Sequence, residues 1–394
     1  MPKKILILGG GVGGVVVAKR LAERLRGGRV DVEITLIDDK DYYLLPPLLV
    51  NIALGDVEPK QAQLPFSLLE KRGGVKFVKA KVTKIDPDNR VVETDQGGKF
   101  NYDYLLASLG GVENDFVSYN LGVGYHNYTL DGALKLKEAL RSFTGGRVVL
   151  VAPEPIYRCG VYPFEFACQL DTLFRKRGIR DRTSITLLYP FNKPLEPLGP
   201  EAVKISEEIG AKKGVECVGG VKPPITIDDK EKVVVLSNGE KYKYDLLIVT
   251  PPARLPKPFE GTPLVAETPT GKWTAINVYT GRSLKYDDVY LPGEHSMPYV
   301  GLPTAGVPVH FTALASASAI AGELLGQPVD PAQINAMTCA LDYGDVGMMF
   351  NCDIKLDLSS NKAAWTGSCY SILTSPLGRL IKDLFYKTWL ATTM

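Results

Sequence analysis

The sequence predicts an α/β fold with two βαβ units, the second inserted into the first, and a C-terminal region of different character. An apolar strand near the N-terminus runs into a glycine-rich turn and a helical pattern, and a second strand–helix–strand pattern spans residues 147–189. The strand pattern at 102–110 recurs at 244–252, which suggests a chain that leaves one domain and later returns to it. Alternating strands and helices of this kind favour parallel sheets covered by helices.

The first unit contains every part of a dinucleotide-binding βαβ unit. Strand 3–8 leads into glycines that match G-x-G-x-x-G, a helix follows, and the next strand, 32–37, ends at Asp38. Such glycines allow a tight turn and a close approach of pyrophosphate to the backbone, and the helix N-terminus attracts its charge. Asp38 can accept hydrogen bonds from ribose hydroxyls. The glycines of this Rossmann-type cofactor site are Gly9, Gly11, Gly13 and Gly14.

The second unit has the Rossmann pattern without its glycines. Its first strand leads into residues 152–160, APEPIYRCG, where prolines and bulky side chains fill the turn. Backbone covered in this way cannot approach a pyrophosphate closely. We therefore expect this unit to serve as a scaffold without a functional nicotinamide-nucleotide site.

The composition argues against several classes of protein. The 46 basic and 44 acidic residues are nearly balanced, so no nucleic acid partner is expected. No apolar run is long enough to span a bilayer, and glycines interrupt the N-terminal apolar stretch, so export by the usual signal peptide is not expected. Six cysteines and three histidines without a C-x-x-C spacing predict neither a disulfide framework nor a metal site.

The C-terminal region combines strand-like stretches at 337–356 with an amphipathic end. Apolar residues there recur at helical spacing, and basic residues occupy some of the remaining positions. The apolar stripe consists of Leu377, Leu380, Ile381, Leu384, Phe385 and Trp389, and the basic residues are Arg379, Lys382 and Lys387. The pattern alone favours a helix docked on the core of its own protein, with a helix in a membrane interface as the alternative.

Several segments resemble the two-dinucleotide-binding-domain flavoproteins. YDYLLASLG at 102–110 is similar to their YDxLxxAxG strand, and VYLPGE at 289–294 is similar to the VxAxGD strand beneath the flavin ribityl chain. Relatives often place a lysine before the Ala-rich helix, whereas residues 301–306 read GLPTAG, so the N-terminus of that helix would supply the positive potential. The resemblance implies FAD as the cofactor. It adds Gly110, Gly293, Glu294, Thr304 and Gly306 to the predicted site.

Two further segments resemble sulfide:quinone oxidoreductases and the flavoprotein subunit of flavocytochrome c sulfide dehydrogenases. YRCGVYPFEFA at 157–167 is similar to their CPxGPPYEFA-like segment, and TCALDYGDVG at 338–347 to their C-terminal redox-cysteine motif. The resemblance implies that Cys159 and Cys339 meet over one face of the flavin as a disulfide that sulfide attacks. Glu165 is a candidate proton acceptor, or equally an ordinary helix carboxylate.

The resemblance also implies partners and a location. Quinone-reducing relatives are monotopic, so the resemblance favours a C-terminal helix that attaches the protein to the cell membrane. It also implies that quinone enters from the bilayer on the flavin face opposite the cysteines. The formation of a homo-oligomer remains an open question at this point. Many relatives have a third essential cysteine that residues 111–146 lack, so covalent FAD attachment and a three-cysteine relay are not expected.

The predicted domains follow from these motifs. An FAD-binding Rossmann domain comprises 1–110 and 245–325, a second Rossmann-like domain without an NAD site comprises 111–244, and the region 326–394 contains the second redox cysteine and the membrane-associated helix.

Three alternative functions remain open at this point. A sulfide dehydrogenase subunit would pass electrons to a haem partner, but it normally needs export. A type II NADH dehydrogenase would need the glycines that the second unit lacks. A flavin-binding redox sensor without turnover is consistent with the departures from the family motifs at Glu294 and Thr304.

Overall fold

The computed structural model describes residues 1–27, 30–109, 113–328, 336–365 and 369–393. The α-helices in these ranges are α1 (Val12–Arg24), α2 (Leu48–Leu54), α3 (Ser67–Gly73), α4 (Leu130–Ser142), α5 (Tyr162–Lys176), α6 (Pro200–Lys213), α7 (Met297–Val300), α8 (Gly306–Leu325) and α9 (Pro376–Thr393).

The β-strands lie between these helices along the whole chain. In the first half they are β1 (Lys3–Leu8), β2 (Val32–Asp38), β3 (Tyr42–Leu44), β4 (Gln63–Pro65), β5 (Lys76–Lys79), β6 (Val82–Asp86), β7 (Val91–Thr94), β8 (Lys99–Asn101), β9 (Tyr104–Ala107), β10 (Glu113–Asn114), β11 (Gly146–Val151), β12 (Thr183–Leu188) and β13 (Val215–Val218). In the second half they are β14 (Thr226–Asp228), β15 (Val233–Val235), β16 (Lys241–Lys243), β17 (Leu246–Val249), β18 (Ala253–Arg254), β19 (Val265–Thr268), β20 (Gly271–Thr274), β21 (Val289–Tyr290), β22 (Ala336–Asp342), β23 (Gly347–Asp357), β24 (Lys362–Trp365) and β25 (Tyr370–Ser375).

Two parallel sheets form the centres of the two βαβ units. The first has the order β21-β9-β1-β2-β5 and the second β13-β12-β11-β17. Their strands are short apolar runs with consecutive buried residues, as in KKILIL and GRVVLV, because helices and loops cover both faces of a parallel sheet. The prediction of an α/β fold with two Rossmann-like units is confirmed.

The path of the chain moves one predicted domain boundary. The chain leaves the first sheet after β9 and returns to it at β21, so the second sheet is an insertion into the first unit. However, β17 pairs with β11, with Leu246 opposite Val148, and so it belongs to the second sheet. The predicted boundary between 244 and 245 is therefore wrong, since the chain leaves the second sheet only after β17. The recurring strands β9 and β17 each pair with the first strand of their own unit.

The C-terminal region is an antiparallel ribbon with a helix on it. Strand β23 pairs with β22, β24 and β25, and α9 packs against β22 and β23. The structure also contains a disulfide bond between Cys352 and Cys369. Sequence reasoning could not pair these two cysteines, because the spacing of cysteines along a chain does not show which of them the fold brings together. Within the described ranges, no helix is long and apolar enough to cross a membrane.

A buried carboxylate ties the second unit to the C-terminal ribbon. Asp171 of α5 is 1% exposed and accepts from Arg180 at 2.6 Å and Arg175 at 3.0 Å. The ammonium of Lys213 on α6 lies 3.6 Å from Asp171 and 2.6 Å from Asp345, which precedes β23. Removing one partner of such a network leaves buried charge without compensation, which is strongly destabilising.

We predict that Asp171→Ala lowers the free energy of unfolding by about 3–5 kcal/mol, since Arg180 and Lys213 lose their buried counter-charge. Urea unfolding followed by circular dichroism measures it. The matched control is Asp131→Ala, which removes an exposed ion pair with Lys135 and should have little effect. A loss as small as that of the control would show that the network does not hold these elements together.

Candidate active site

The turn after β1 is shaped for a phosphate group. Gly9 has a φ of 88°, and a Cβ at Gly14 would lie 1.8 Å from the carbonyl oxygen of Gly9. A Cβ at Gly13 would lie 2.5 Å from the carbonyl oxygen of Pro292, so the turn, α1 and the segment after β21 pack without room for side chains. Gly11 is the N-cap of α1, where no described side chain caps the helix and no acid occupies its first turn. The backbone N–H groups there remain available to an anion.

Asp38 lies where the sequence predicted it, at the end of β2 beside this turn. Its carboxylate accepts from the backbone N–H of Gly10 at 2.6 Å and of Lys40 at 2.8 Å. These bonds fix the carboxylate at the carboxyl edge of the first sheet, where a nucleotide ribose lies in a Rossmann unit. The glycine turn and Asp38 therefore fit a dinucleotide. Gly110 lies outside the described residues.

The other predicted cofactor residues cluster at the junction of the two units. Glu294, directly after Gly293, is paired with Arg158, whose Nε donates to its carboxylate at 2.8 Å in a mostly buried ion pair. A Cβ at Gly293 would lie 2.3 Å from the ring of His295. The cofactor role of Gly293 and Glu294 stays a prediction, and the sequence did not reveal that Glu294 also anchors the turn of the second unit.

Thr304 and Gly306 precede and begin α8. The Thr304 hydroxyl donates to the carbonyl oxygen of Tyr157 at 2.5 Å, and the Thr304 carbonyl accepts from the backbone N–H of Cys159 at 2.9 Å. Thr304 thus holds the turn that carries Cys159. A Cβ at Gly306 would meet no described atom within 4 Å, and no described side chain caps α8. This end of α8 therefore offers positive potential to the space beside Cys159.

The turn at 152–160 is filled by its own side chains. Tyr157 is fully buried, and Glu154 accepts from Arg254 at 2.6 Å and from the hydroxyl of Tyr119 at 2.9 Å. A pyrophosphate in this place would have to displace these contacts. That the second unit has no nicotinamide-nucleotide site stays a prediction.

Cys159 and Cys339 belong to one cluster although 180 positions separate them in the sequence. Cys159 has a φ of 65°, a left-handed conformation that the contact with Thr304 supports, and Cys339 lies in the middle of β22. Both cysteines are partly buried thiols without a disulfide partner among the described residues. Burial raises the pKa of Cys159 to about 12, with contributions from the charges of Glu165 and Cys339. Burial also raises the pKa of Cys339 to about 11, while Lys382 acts to lower it.

Glu165 reaches this cluster from the first turn of α5. It forms a buried ion pair with Lys382 of α9 and accepts from the backbone N–H of Asp342 at 2.9 Å. Burial raises the pKa of Glu165, as the sequence led us to expect, although Lys382 opposes the rise. Burial disfavours the charge on Lys382, but Glu165 outweighs it, so the pKa of Lys382 is well above its ordinary value. The positive charge of Lys382 acts on both thiols, since it opposes the rise in the pKa of Cys159 and of Cys339.

In helix α9, Lys382 points into the protein, whereas most of the apolar stripe points to solvent. Leu377, Leu380, Leu384 and Phe385 are between 49% and 60% exposed. Trp389 departs from the rest of the stripe, because its indole N–H donates to the hydroxyl of the fully buried Tyr43 at 2.9 Å. The helix is thus docked on the core of the protein through Lys382 and Trp389. The sequence suggested two alternatives, a helix docked on the protein or a helix in a membrane interface. The helix is docked, and its exposed apolar stripe would also allow contact with a membrane interface.

Comparison with known proteins places this site in a family. The sequence profile of the pyridine nucleotide-disulphide oxidoreductases matches residues 3–254. The chain belongs to this family. Because the family uses a flavin, the glycine turn and Asp38 are the residues that would hold its nucleotide portion.

Two curated relatives and one solved structure narrow the likeness. The sulfide-quinone reductase of Aquifex aeolicus is 25% identical over 378 residues, which are 89% of this chain and 84% of the relative. The mitochondrial sulfide:quinone oxidoreductase of Dictyostelium discoideum is 29% identical over 336 residues, 79% of this chain and 68% of that protein. The crystal structure of the Aquifex aeolicus enzyme covers 99% of this chain and 91% of that one with a TM-score of 0.86 at 23% identity. The predicted resemblance to sulfide:quinone oxidoreductases is confirmed.

Lys382 is the member of the cluster that sequence reasoning missed. Its position in the amphipathic pattern suggested a solvated basic face, whereas the side chain is 12% exposed and paired with Glu165. A basic residue on a polar helix face is usually solvated, so the pattern held no signal for this contact.

We predict that alkylation of the reduced thiols rises about tenfold per pH unit from about pH 7.5 to about pH 9.5, since only the thiolate reacts and both pKa values lie above this range. Lys382→Met should slow alkylation at every pH because it removes the charge that lowers both pKa values. Iodoacetamide labelling with peptide mass spectrometry gives the rates.

Lys387→Met is the control, because Lys387 is an exposed residue of the same helix. Rates that level off near pH 8, or equal rates in the Lys382 and Lys387 variants, would contradict this account of the cluster.

Proposed function

We propose that this protein is an FAD-dependent sulfide:quinone oxidoreductase that oxidises sulfide to polysulfide or sulfur through Cys159 and Cys339. The observation that carries the proposal is the buried cluster in which a cysteine from each of two distant segments lies beside the Glu165–Lys382 pair. Its position at the junction of the two units, next to the N-terminus of α8, is where a flavin held by the glycine turn would extend. The likeness to two sulfide:quinone oxidoreductases supports the same assignment.

FAD fits the residues that line the junction. Gly9, Gly11, Gly13 and Gly14 with Asp38 would hold the adenosine diphosphate portion. The segment that begins at Gly293 and Glu294, together with Thr304 and Gly306, would lie along the flavin portion. When bound, the flavin accepts two electrons from sulfur and passes them to quinone.

The sulfur chemistry uses both cysteines of the cluster. Hydrosulfide attacks Cys159 in a Cys159–Cys339 disulfide, so that one S–S bond forms and Cys339 leaves as a thiolate. A second hydrosulfide removes the outer sulfur from Cys159 as a hydrodisulfide and leaves a second thiolate. The two thiolates would re-form the disulfide by giving up two electrons, for which a bound flavin would be the acceptor.

The Glu165–Lys382 pair has two roles in these steps, since Lys382 stabilises negative charge on sulfur and Glu165 accepts a proton. Lys382 stabilises the thiolate that leaves, because its charge lowers the pKa of both cysteines. Glu165 can accept the proton that hydrosulfide brings when it forms a persulfide, since burial raises the pKa of this carboxyl. Both side chains are mostly buried, so water has little access to the pair.

Helix α9 offers a surface for peripheral attachment to the cell membrane. Its exposed stripe of Leu377, Leu380, Leu384 and Phe385 can enter the lipid interface while Lys382 and Trp389 hold the helix on the protein. A quinone in the bilayer would then approach the flavin on the face opposite the cysteines. An NADH donor is disfavoured because side chains fill the turn at 152–160.

We predict that sulfide bleaches the flavin absorbance of the purified protein anaerobically and that NADH does not. The reason is that the cysteine cluster provides a route for electrons from sulfur, whereas the turn of the second unit has no space for a pyrophosphate. Stopped-flow absorbance near the flavin maximum measures both reactions. Rapid bleaching by NADH and none by sulfide would replace the proposal with an NADH:quinone oxidoreductase.

We predict that Cys159→Ser and Cys339→Ser each lower sulfide:quinone turnover at least about a thousandfold, because serine can neither form nor break a disulfide. Turnover should persist in Cys168→Ser and Cys217→Ser, since Cys168 is fully buried in α5 and Cys217 lies on β13 of the second sheet. Quinone reduction driven by sulfide is the assay, and retained flavin absorbance shows that the variants fold. Loss in Cys168→Ser with activity in Cys159→Ser would require a different sulfur pathway.

We predict that Leu380→Gln/Leu384→Gln weakens binding to phospholipid vesicles at least about tenfold, because it removes buried apolar area from the interface. Sulfide-driven flavin reduction should stay unchanged, since both side chains point away from the cluster and are 60% exposed. Vesicle sedimentation measures binding. Leu284→Gln/Leu358→Gln, which changes two exposed leucines elsewhere, is the control.

Point variants are needed here because deletion of 376–394 would also remove Lys382 from the cysteine cluster. Equal vesicle binding by the two double variants would show that the stripe of α9 does not carry the attachment.

A further inference from the structure

The disulfide between Cys352 and Cys369 takes no part in the chemistry described so far. Cys352 lies in β23, and Cys369 directly precedes β25. The two residues are 0% and 2% exposed, so dissolved reductants have little access to their sulfur atoms. The backbone N–H of Cys369 donates to the carbonyl oxygen of Leu198 at 3.1 Å, which holds this end of the disulfide against the second unit.

The register of the ribbon places this disulfide beside Cys339. In the antiparallel pair of β22 and β23, Cys339 is opposite Phe350 and Met337 is opposite Cys352. Directly opposed residues share a face of the sheet, and residues two apart on one strand share it as well. Cys339 and Cys352 are therefore diagonal neighbours on the same face.

Burial supports this assignment of faces. Met337, Phe350 and Cys352 are buried, whereas Thr338 and Asp353 on the other face are exposed. Asn351 of that other face is buried as well, and its amide is hydrogen-bonded to Thr338, Asp353 and Tyr370. Diagonal neighbours have Cα atoms about 7–8 Å apart. A disulfide spans Cα separations up to about 6.8 Å, so a local shift of about 1 Å in the ribbon is enough to join the two residues.

We propose that Cys352 and Cys369 form a second redox centre of this protein, a disulfide that takes up electrons through Cys339. The inference rests on the proposed function, in which sulfide turns Cys339 into a thiolate. Nothing in the sulfur chemistry at Cys159 requires this second pair, so it stores electrons and does not replace the first pair.

The exchange consists of two substitutions at sulfur. The Cys339 thiolate attacks Cys352, so a Cys339–Cys352 bond forms, the Cys352–Cys369 bond breaks, and Cys369 leaves as a thiolate. The Cys159 thiolate then attacks Cys339, re-forms the Cys159–Cys339 disulfide and releases Cys352. The net result is that one pair of cysteines is oxidised and the other is reduced, and the protons lost by the first pair are balanced by those that the second pair takes up.

Such a centre lets sulfide oxidation continue for one further two-electron step when the flavin is already reduced and no quinone is available. The cluster around Cys339 favours this role. Lys382 acts to lower the pKa of Cys339, and Cys339 is only partly buried, so it can connect the reaction site with a disulfide that is sealed from solvent.

The test follows the reduction of each cysteine without quinone. The purified protein is treated anaerobically with dithiothreitol in one arm and sulfide in the other, quenched with N-ethylmaleimide in denaturant at successive times so that buried thiols are labelled too, and analysed by peptide mass spectrometry. In the wild type, Cys352 and Cys369 should become labelled after Cys159 and Cys339. In Cys339→Ser their labelling should be at least about tenfold slower, because the buried disulfide loses its exchange partner.

Cys217→Ser is the control and should behave like the wild type. Labelling of Cys352 and Cys369 at the wild-type rate in Cys339→Ser would overturn the route through Cys339. If Cys159 and Cys339 of the wild type become fully labelled while Cys352 and Cys369 stay unlabelled, the disulfide between Cys352 and Cys369 has only a structural role.

A trapping variant tests the neighbourhood directly. Cys159→Ser/Cys369→Ser leaves Cys339 and Cys352 without their usual partners, and oxidation with diamide should join them in one disulfide-linked peptide pair. Its absence in a folded, flavin-containing variant would contradict the proposed exchange. The dithiothreitol arm does not depend on sulfide oxidation. If sulfide reduces no cysteine but dithiothreitol reduces the second disulfide through Cys339, the proposed function fails and the second redox centre stands.

Discussion

The buried ion pair between Glu165 and Lys382 is the interaction on which the arrangement of the candidate site depends. Glu165 lies in the first turn of α5 in the second unit, and Lys382 lies on α9. Each charge is costly to bury alone and acceptable only beside the other. The pair therefore fixes α9 against the segment that carries Cys159, and the strand under α9 brings Cys339 to the same place.

The same pair also sets the chemistry of the thiols. Burial by itself raises the pKa of both cysteines, which makes them poor nucleophiles and poor leaving groups at neutral pH. Lys382 counteracts this effect at the point where a thiolate has to form. The site thus combines burial, which disfavours the thiolates, with a positive charge that favours them.

The second unit keeps the architecture of a nucleotide-binding fold, although side chains fill the turn after its first strand. Its parallel sheet and α5 retain the geometry of the first unit, but the turn after β11 has become a support for Cys159. Arg158 and Tyr157 bind this turn to Glu294 and Thr304 of the first unit. Residues that are predicted to lie at the cofactor thus also hold the turn that carries Cys159.

The sequence by itself determined the two Rossmann-like units, the glycine turn with Asp38, the loss of the second glycine motif and the candidate cysteines, because these features follow from local periodicity and from residues within one turn. The tertiary structure decided what depends on contacts between distant segments. It assigned β17 to the second sheet, joined Cys352 to Cys369, paired Glu294 with Arg158 and buried Lys382 against Glu165. Periodicity shows which face of a helix is polar, but it does not show whether a residue of opposite charge in another segment lies against that face. For Lys382, only the packing of α9 on the ribbon shows this.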